Sequence, residues 1–251
     1  MANLERRKVQ AASFGAAADV YERVRPSYPD EAIDWLLPPS AGRVLDLGAG
    51  TGKLTRGLAG RGLEVIAVEP SAGMRAELAR ALPEVTLLAG TAEEIPLPAQ
   101  TVDVVLVAQA WHWVDPVRAV PEVARVLTPG GQLGLVWNMR DERVDWVAEL
   151  TQIIHTPDYT DNGSLAPPVG PPFGPVERFD VEWGRSMRPA ELLDLVASRS
   201  YIITMPEPER AAVLARVRHL LGTHPALAGA GRITMPYVTR CSRAKLSSLP
   251  A

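Results

Sequence analysis

One turn constrains this chain more than any other stretch: Arg43-Val44-Leu45-Asp46-Leu47-Gly48-Ala49-Gly50-Thr51-Gly52-Lys53-Leu54. Val44 to Leu47 read as a short buried strand and Leu54 to Ala59 as the start of a helix, so the glycine run joins strand to helix. Glycines there permit a tight turn and let a ligand lie against the backbone and the helix N-terminus. The next strand, Glu64 to Val68, delivers an acidic Glu69 followed by Pro70. A carboxylate about 20 residues past the glycines, at the end of the second strand, suits a ribose diol.

Three nucleotide-binding patterns compete for the turn. The P-loop needs Gly, four residues, then Gly-Lys-Ser/Thr. Here Leu47 stands at the first glycine and Leu54 at the Ser/Thr, so both ends fail. The dinucleotide pattern G-x-G-x-x-G has Gly48 and Gly50 but Lys53 in place of its third glycine. What remains is Asp46-Leu47-Gly48-Ala49-Gly50-Thr51-Gly52, an acid followed by G-x-G-x-G. That stretch resembles motif I of the class I S-adenosylmethionine (SAM) methyltransferases.

The resemblance runs from about Phe14 to Asn138 and includes Val65 to Pro70, Gly90-Thr91-Ala92-Glu93-Glu94-Ile95-Pro96 and Glu122 to Gly131. It implies a cofactor site made of Asp46, Gly48, Ala49, Gly50, Thr51, Glu69, Pro70, Met74, Thr91, Ala92, Glu93 and Gln109. Glu69 would take the ribose hydroxyls, Met74 the adenine side, Ala92 and Glu93 the adenine edge, and Gln109 and Ala110 the methionine part. Two further stretches, Tyr21-x-x-x-Arg25-Pro26-x-Tyr28-Pro29 and Trp111-His112-Trp113-x-Asp115, look like the trans-aconitate methyltransferase-like subgroup. In that subgroup the N-terminal segment packs over SAM, which makes Tyr21 and Arg25 cofactor or lid residues. Arg25 could pair with a carboxylate of SAM or of a substrate, or be a surface arginine beside a proline turn.

Trp111-His112-Trp113 follows the fourth strand, where open parallel sheets place their ligand crevice. Trp111 and His112 read as a substrate wall, with His112 as hydrogen-bond donor or general base; the other reading satisfies His112 from the backbone. Trp113 reads as core. Methyl transfer from a sulfonium is an in-line displacement whose leaving group needs no protonation, so the protein has mainly to position the reactants and exclude water. No nucleophile–base triad is evident, and four histidines and one cysteine offer no metal site.

The alternation of strand and helix through the middle predicts an α/β fold: a doubly wound, Rossmann-like sheet of seven strands, mostly parallel, with a helical cap. Strands are expected at Val44–Leu47, Glu64–Val68, Val85–Ala89, Val102–Ala108, Gln132–Trp137, Val176–Trp183 and Arg232–Arg240, the last antiparallel by the resemblance. Helices are expected at 16–24, 32–37, 54–59, 71–82, 115–127 with a kink or late start at Pro121, 142–155, 189–198 and 207–221. Residues 1–40 read as an N-terminal lid or brace, 41–138 as the SAM-binding core, 139–175 as a cap insertion and 176–251 as the C-terminal part of the same sheet. A 251-residue chain with 47% hydrophobic residues can fill such a core. A net charge of −3 gives no electrostatic footprint for nucleic acid, and no apolar run reaches a membrane span. The expectation is a cytoplasmic protein that methylates a small molecule at a carboxylate, hydroxyl or activated carbon. A SAM-binding protein without catalysis and a nicotinamide-dependent oxidoreductase are the alternatives.

Overall fold

The computed structural model describes residues 25–154 and 169–247. Near-continuous apolar runs, the mark of strands covered on both faces, become a seven-stranded sheet. Its strands are β1 (Arg43–Leu47), β2 (Glu64–Val68), β3 (Thr86–Leu88), β4 (Val102–Ala108), β5 (Leu127–Arg140), β6 (Glu177–Met187) and β7 (Ile233–Lys245), ordered β3-β2-β1-β4-β5-β7-β6. The neighbours β3/β2, β2/β1, β1/β4 and β4/β5 pair in parallel. Leu246 N–H donates to Gly131 O at one end of β5 and Asp141 N–H to Pro236 O at the other, so β7 runs antiparallel to β5. Opposite β6, Arg243 pairs with Glu177 while Tyr237 stacks on Trp183, which makes that pair antiparallel too. One reversed strand in seven is the arrangement expected.

The long C-terminal strands outrun the sequence pattern. β5 starts directly after the preceding helix and carries Pro129-Gly130-Gly131 within it, Gly130 taking φ +76°. β7 continues to Lys245, and β6 to Met187, beyond the expected ends. Cross-strand pairs that only the tertiary fold brings together extend them.

By contacts, the described residues fall into two compact units. The first takes in residues 27–138, 169–181 and 239–247. Its core packs Ala32, Ile33 and Leu36 of α1 (Asp30–Leu36) and Leu54 and Leu58 of α2 (Lys53–Ala59) against Val44, Val104, Leu106 and Val136 of the sheet. α3 (Ala72–Ala81) is capped by Ser71, whose Oγ accepts from Met74 N–H, as the sequence predicts. α4 (Pro116–Val126) starts at the Asp115 N-cap with proline in its first turn and runs on through Pro121.

The second unit takes in residues 25–26, 139–154 and 182–238. α5 (Asp145–Ile154), α6 (Pro189–Ala197) and α8 (Glu207–Thr223) share a core with Met187, Ile233, Met235 and Tyr237; a short α7 (Ser200–Ile203) lies between α6 and α8 in the chain. Val147, Leu150 and Ile154 are buried there and Val144 and Ile153 pack against it, the helical face read from the sequence. No described helix is long and apolar enough to cross a membrane.

Candidate functional site

The glycine turn is built as its residue types require. Gly48, Gly50 and Gly52 all take positive φ, at +73°, +58° and +88°. A side chain on Gly48 would also press its Cβ to 3.0 Å from that of Ala110, whereas one on Gly50 would meet nothing within 4 Å. The turn is therefore pinned at Gly48 and open at Gly50, where a ligand could approach the backbone.

Its backbone donors are largely engaged inside the protein. Gly48 N–H and Ala49 N–H both reach Val68 O, at 2.8 and 3.1 Å, and Gly52 N–H reaches Ala49 O at 3.0 Å. Gly50 N–H donates to Glu69 Oε2 at 2.9 Å, and Ser71 N–H to Glu69 Oε1 at 2.8 Å. Glu69 is 7% exposed. Burial pushes its carboxyl above the usual range, against the pull of the Ser71 and Gly50 N–H bonds and the Arg75 charge. Each carboxylate oxygen keeps a second lone pair, so two hydroxyl donors can still be met.

Beneath the turn, Asp46 is fully buried. Its Oδ2 accepts from Thr55 Oγ1 at 2.6 Å, and its Oδ1 has no hydrogen-bond partner among the described residues. Burial raises this carboxyl to about 7, with the Glu69 charge adding to the rise and the Thr55 bonds opposing it. Thr55 stands in the first turn of α2, so the acid ties the helix start to the end of β1.

Met74 is buried on α3, and Ala92 is buried within a turn closed by the Thr91–Glu94 bridge. Glu93 Oε1 accepts from Asp115 N–H at 2.8 Å, so its carboxylate holds the loop before α4. Glu122 Oε1 takes Ile95 N–H at 2.9 Å, and Arg125 donates to Ile95 O and Leu97 O, which ties the segment that carries Glu93 to α4.

At the end of β4, Gln109 adopts φ +57°, a strained backbone for a residue with a side chain. Its N–H bonds Val136 O, and its Nε2 donates to Asn138 O at 3.2 Å. Asn138, at the end of β5, donates from Nδ2 to Ser27 O and accepts from Thr239 Oγ1. A single 3-10 turn, Trp111–Trp113, follows. Trp111 is 3% exposed; His112 and Trp113 are half-buried, their rings 4.6 Å apart. The sequence reading put Trp113 in the core and Trp111 on the wall, whereas the structure buries Trp111. The indole N–H of Trp111, and that of Trp137 on β5, have no acceptor among the described residues.

Residues 45–135 match the methyltransferase domain family. An uncharacterized methyltransferase of Mycobacterium tuberculosis is 58% identical over 96% of this chain and 98% of its own length. The chain belongs to the methyltransferase family. An uncharacterized methyltransferase-like protein of Schizosaccharomyces pombe is 36% identical over 87% of this chain and 90% of its own. Among solved structures, one described as a type II methyltransferase from Anaeromyxobacter dehalogenans superposes with a TM-score of 0.66 at 25% identity, over 90% of this chain and 99% of that one.

In this methyltransferase the expected cofactor residues of β1, β2, α3 and the 91–93 turn gather in one unit, with Gln109, Trp111 and His112. Arg25 falls in the other, its guanidinium donating to Ser198 O at the end of α6. Tyr21 lies outside the described residues. Sequence reasoning missed Thr55, Asn138 and Trp137. The first has a local signal, a hydroxyl in the first turn of the helix after the acid; the other two have none.

Proposed function

We propose that the chain is a SAM-dependent methyltransferase acting on a small molecule through a carboxylate, hydroxyl or activated-carbon acceptor. The observation that carries this reading is Glu69, a buried carboxylate held by Gly50 and Ser71 N–H with lone pairs left for a ribose diol. The engaged donors of the turn favour the same choice. A pyrophosphate needs N–H groups turned toward it, and Gly48, Ala49, Gly50 and Gly52 direct theirs into the protein, which disfavours a nicotinamide dinucleotide.

On this reading Glu69 and Pro70 hold the ribose end and Met74 the adenine face. Thr91, Ala92 and Glu93 present mainly backbone to the adenine edge, since the Glu93 carboxylate already serves Asp115. The turn from Gly48 to Thr51, Asp46 and Gln109 hold the methionine end. SAM supplies a methyl group on a sulfonium that leaves without a proton. The residues around it position the acceptor and keep water out. His112 orients the acceptor or takes its proton, beside Trp111. The finer likeness, to the trans-aconitate type, belongs to this proposal, as do a cytoplasmic location and the absence of nucleic-acid or membrane partners.

The test is thermal stability with SAM, S-adenosylhomocysteine and NADH, since a ligand that binds only the native state must raise the melting temperature. SAM and S-adenosylhomocysteine should stabilise and NADH should not. Release of S-adenosylhomocysteine across a panel of small carboxylates and phenols then separates an enzyme from a SAM-binding protein without catalysis.

A further inference from the structure

Among the described residues, six glycines and two glutamines take positive φ. Gln100 is exposed on a turn, whereas Gln109, at φ +57°, is half-buried at the end of β4. Glycine takes such angles freely, while a residue with a side chain keeps them only where its surroundings fix it. Gln109 is fixed from β5. Its N–H donates to Val136 O at 2.9 Å, one rung past the Ala108–Val136 pair, and its Nε2 to Asn138 O at 3.2 Å. Asn138 is held in turn, its Nδ2 donating to Ser27 O at 3.0 Å and its Oδ1 accepting from Thr239 Oγ1 at 2.6 Å. The next residue, Ala110, lies so close to the glycine turn that a Cβ on Gly48 would stand 3.0 Å from its own. Ala110 O accepts from Trp113 N–H at 2.9 Å, which opens the 3-10 turn carrying Trp111 and His112. The angle at Gln109 thus sets where the exit of β4 meets the end of β1, and every one of these residues belongs to the first unit.

We propose that Gln109 and Asn138 are positioning residues: the Gln109 amide does not touch the ligand but, bonded to Asn138 O, holds the left-handed turn that seats Ala110 on Gly48, and Asn138 keeps that anchor in place. This rests on the SAM reading above, which sets Gln109 at the methionine end, and it states how Gln109 acts there: through its backbone, with the side chain spent on β5. Because the same turn leads into Trp111 and His112, one angle aligns the methionine end with the acceptor wall. The residue type follows. A glycine takes the angle without strain but is not held in it, so binding would have to order the turn. An aliphatic side chain keeps the strain and loses the bond. Glutamine holds the turn in place before the cofactor arrives.

The experiment is calorimetry of S-adenosylhomocysteine binding to the whole chain, with melting temperatures measured alongside. Gln109→Met keeps the length of the side chain and loses the donor. Its turn relaxes, and affinity should fall about tenfold as the seated form drops to about a tenth of the population. Gln109→Gly also lacks the amide but takes the angle without strain, so it should recover to within about threefold of wild type. A side chain that touched the ligand would leave both variants equally weak, so a Gln109→Gly no tighter than Gln109→Met overturns the proposal. A Gln109→Met that binds as wild type does also overturns it, whatever its melting temperature, since a purely structural role moves stability alone. Asn138→Leu removes the clamp and should weaken binding in the same way. Combined with Gln109→Met it should cost little more than the larger single loss, because both act through one contact; full additivity overturns the proposal. Should Gln109→Met not fold, Asn138→Leu decides, and wild-type affinity there overturns the proposal. A wild-type chain that binds neither SAM nor S-adenosylhomocysteine sinks the cofactor reading and this proposal together, whereas wild-type binding with unchanged variants sinks this proposal alone.

Discussion

Around the glycine turn, the backbone donors and the Glu69 carboxylate are answered from within the chain, while Asp46 Oδ1 has no partner among the described residues. At the ends of β4 and β5 the balance differs: Gln109 is held in a strained backbone, while the indoles of Trp111 and Trp137 keep N–H groups without acceptors. Among the described residues, the first region leaves one carboxyl oxygen unpartnered, and the second leaves two neutral donors without an acceptor. On the proposed reading the first region holds the cofactor and the second lies beside the acceptor.

The largest effect should come from Asp46. Its folded carboxyl titrates at about 7 against an ordinary 3.8, a difference on the order of 4 kcal/mol. Between those values the folded protein holds a proton that the unfolded chain has lost, so stability from this group is intact at the acid end and falls as the pH rises. Asp46→Asn should therefore gain on wild type from about pH 4 to about pH 7, read by urea unfolding at each pH. A stability difference that stays constant across that window breaks the contrast, because Asp46 would then be ionised throughout. Glu69 shifts in the same direction; Asp103 and Glu122 shift down and give the opposite trend at low pH, which the variant-to-wild-type difference cancels.

Glu69→Ala comes next, with SAM affinity falling by about 1.5–3 kcal/mol as the ribose hydroxyls lose a charged acceptor. Calorimetry on the folded variant measures it, and an unchanged affinity makes Glu69 a brace for Gly50 and Ser71 only. Gly48→Ala follows, at about 1–2 kcal/mol of stability for a left-handed backbone, before the contact with Ala110 is counted. If its melting temperature matches wild type, the turn is looser than its angles imply.

The smallest effects belong to the other region. Trp111→Phe and Trp137→Phe remove a donor that bonds nothing among the described residues, so the lost N–H itself should cost the free protein less than about 0.5 kcal/mol. Truncating the buried ring adds a cavity cost of its own, so the N–H is judged by NMR: an indole proton shifted downfield as in a bonded donor would show a partner. The contrast between a satisfied and an unsatisfied region would then narrow to Asp46 alone.

What the sequence determined by itself was what local chemistry dictates. Glycines at 48, 50 and 52 permit the positive φ that the turn takes, Ser71 and Asp115 cap the helices they precede, and apolar strands alternating with helices give a parallel sheet. From these the turn between β1 and α2 and the place of Glu69 after β2 follow. The tertiary structure decided whatever depends on groups far apart in the chain. The Glu93 carboxylate goes to Asp115, and of the 111–113 turn Trp111 is buried while Trp113, read as core, is half-buried. Asn138 ties Ser27 to Thr239, Gln132 reaches Leu36 O, and β6 and β7 lengthen through pairs such as Arg243 with Glu177. No spacing in the sequence announces these contacts. A side chain's partner is set by which strands lie side by side, and the order of strands in space is not their order in the chain.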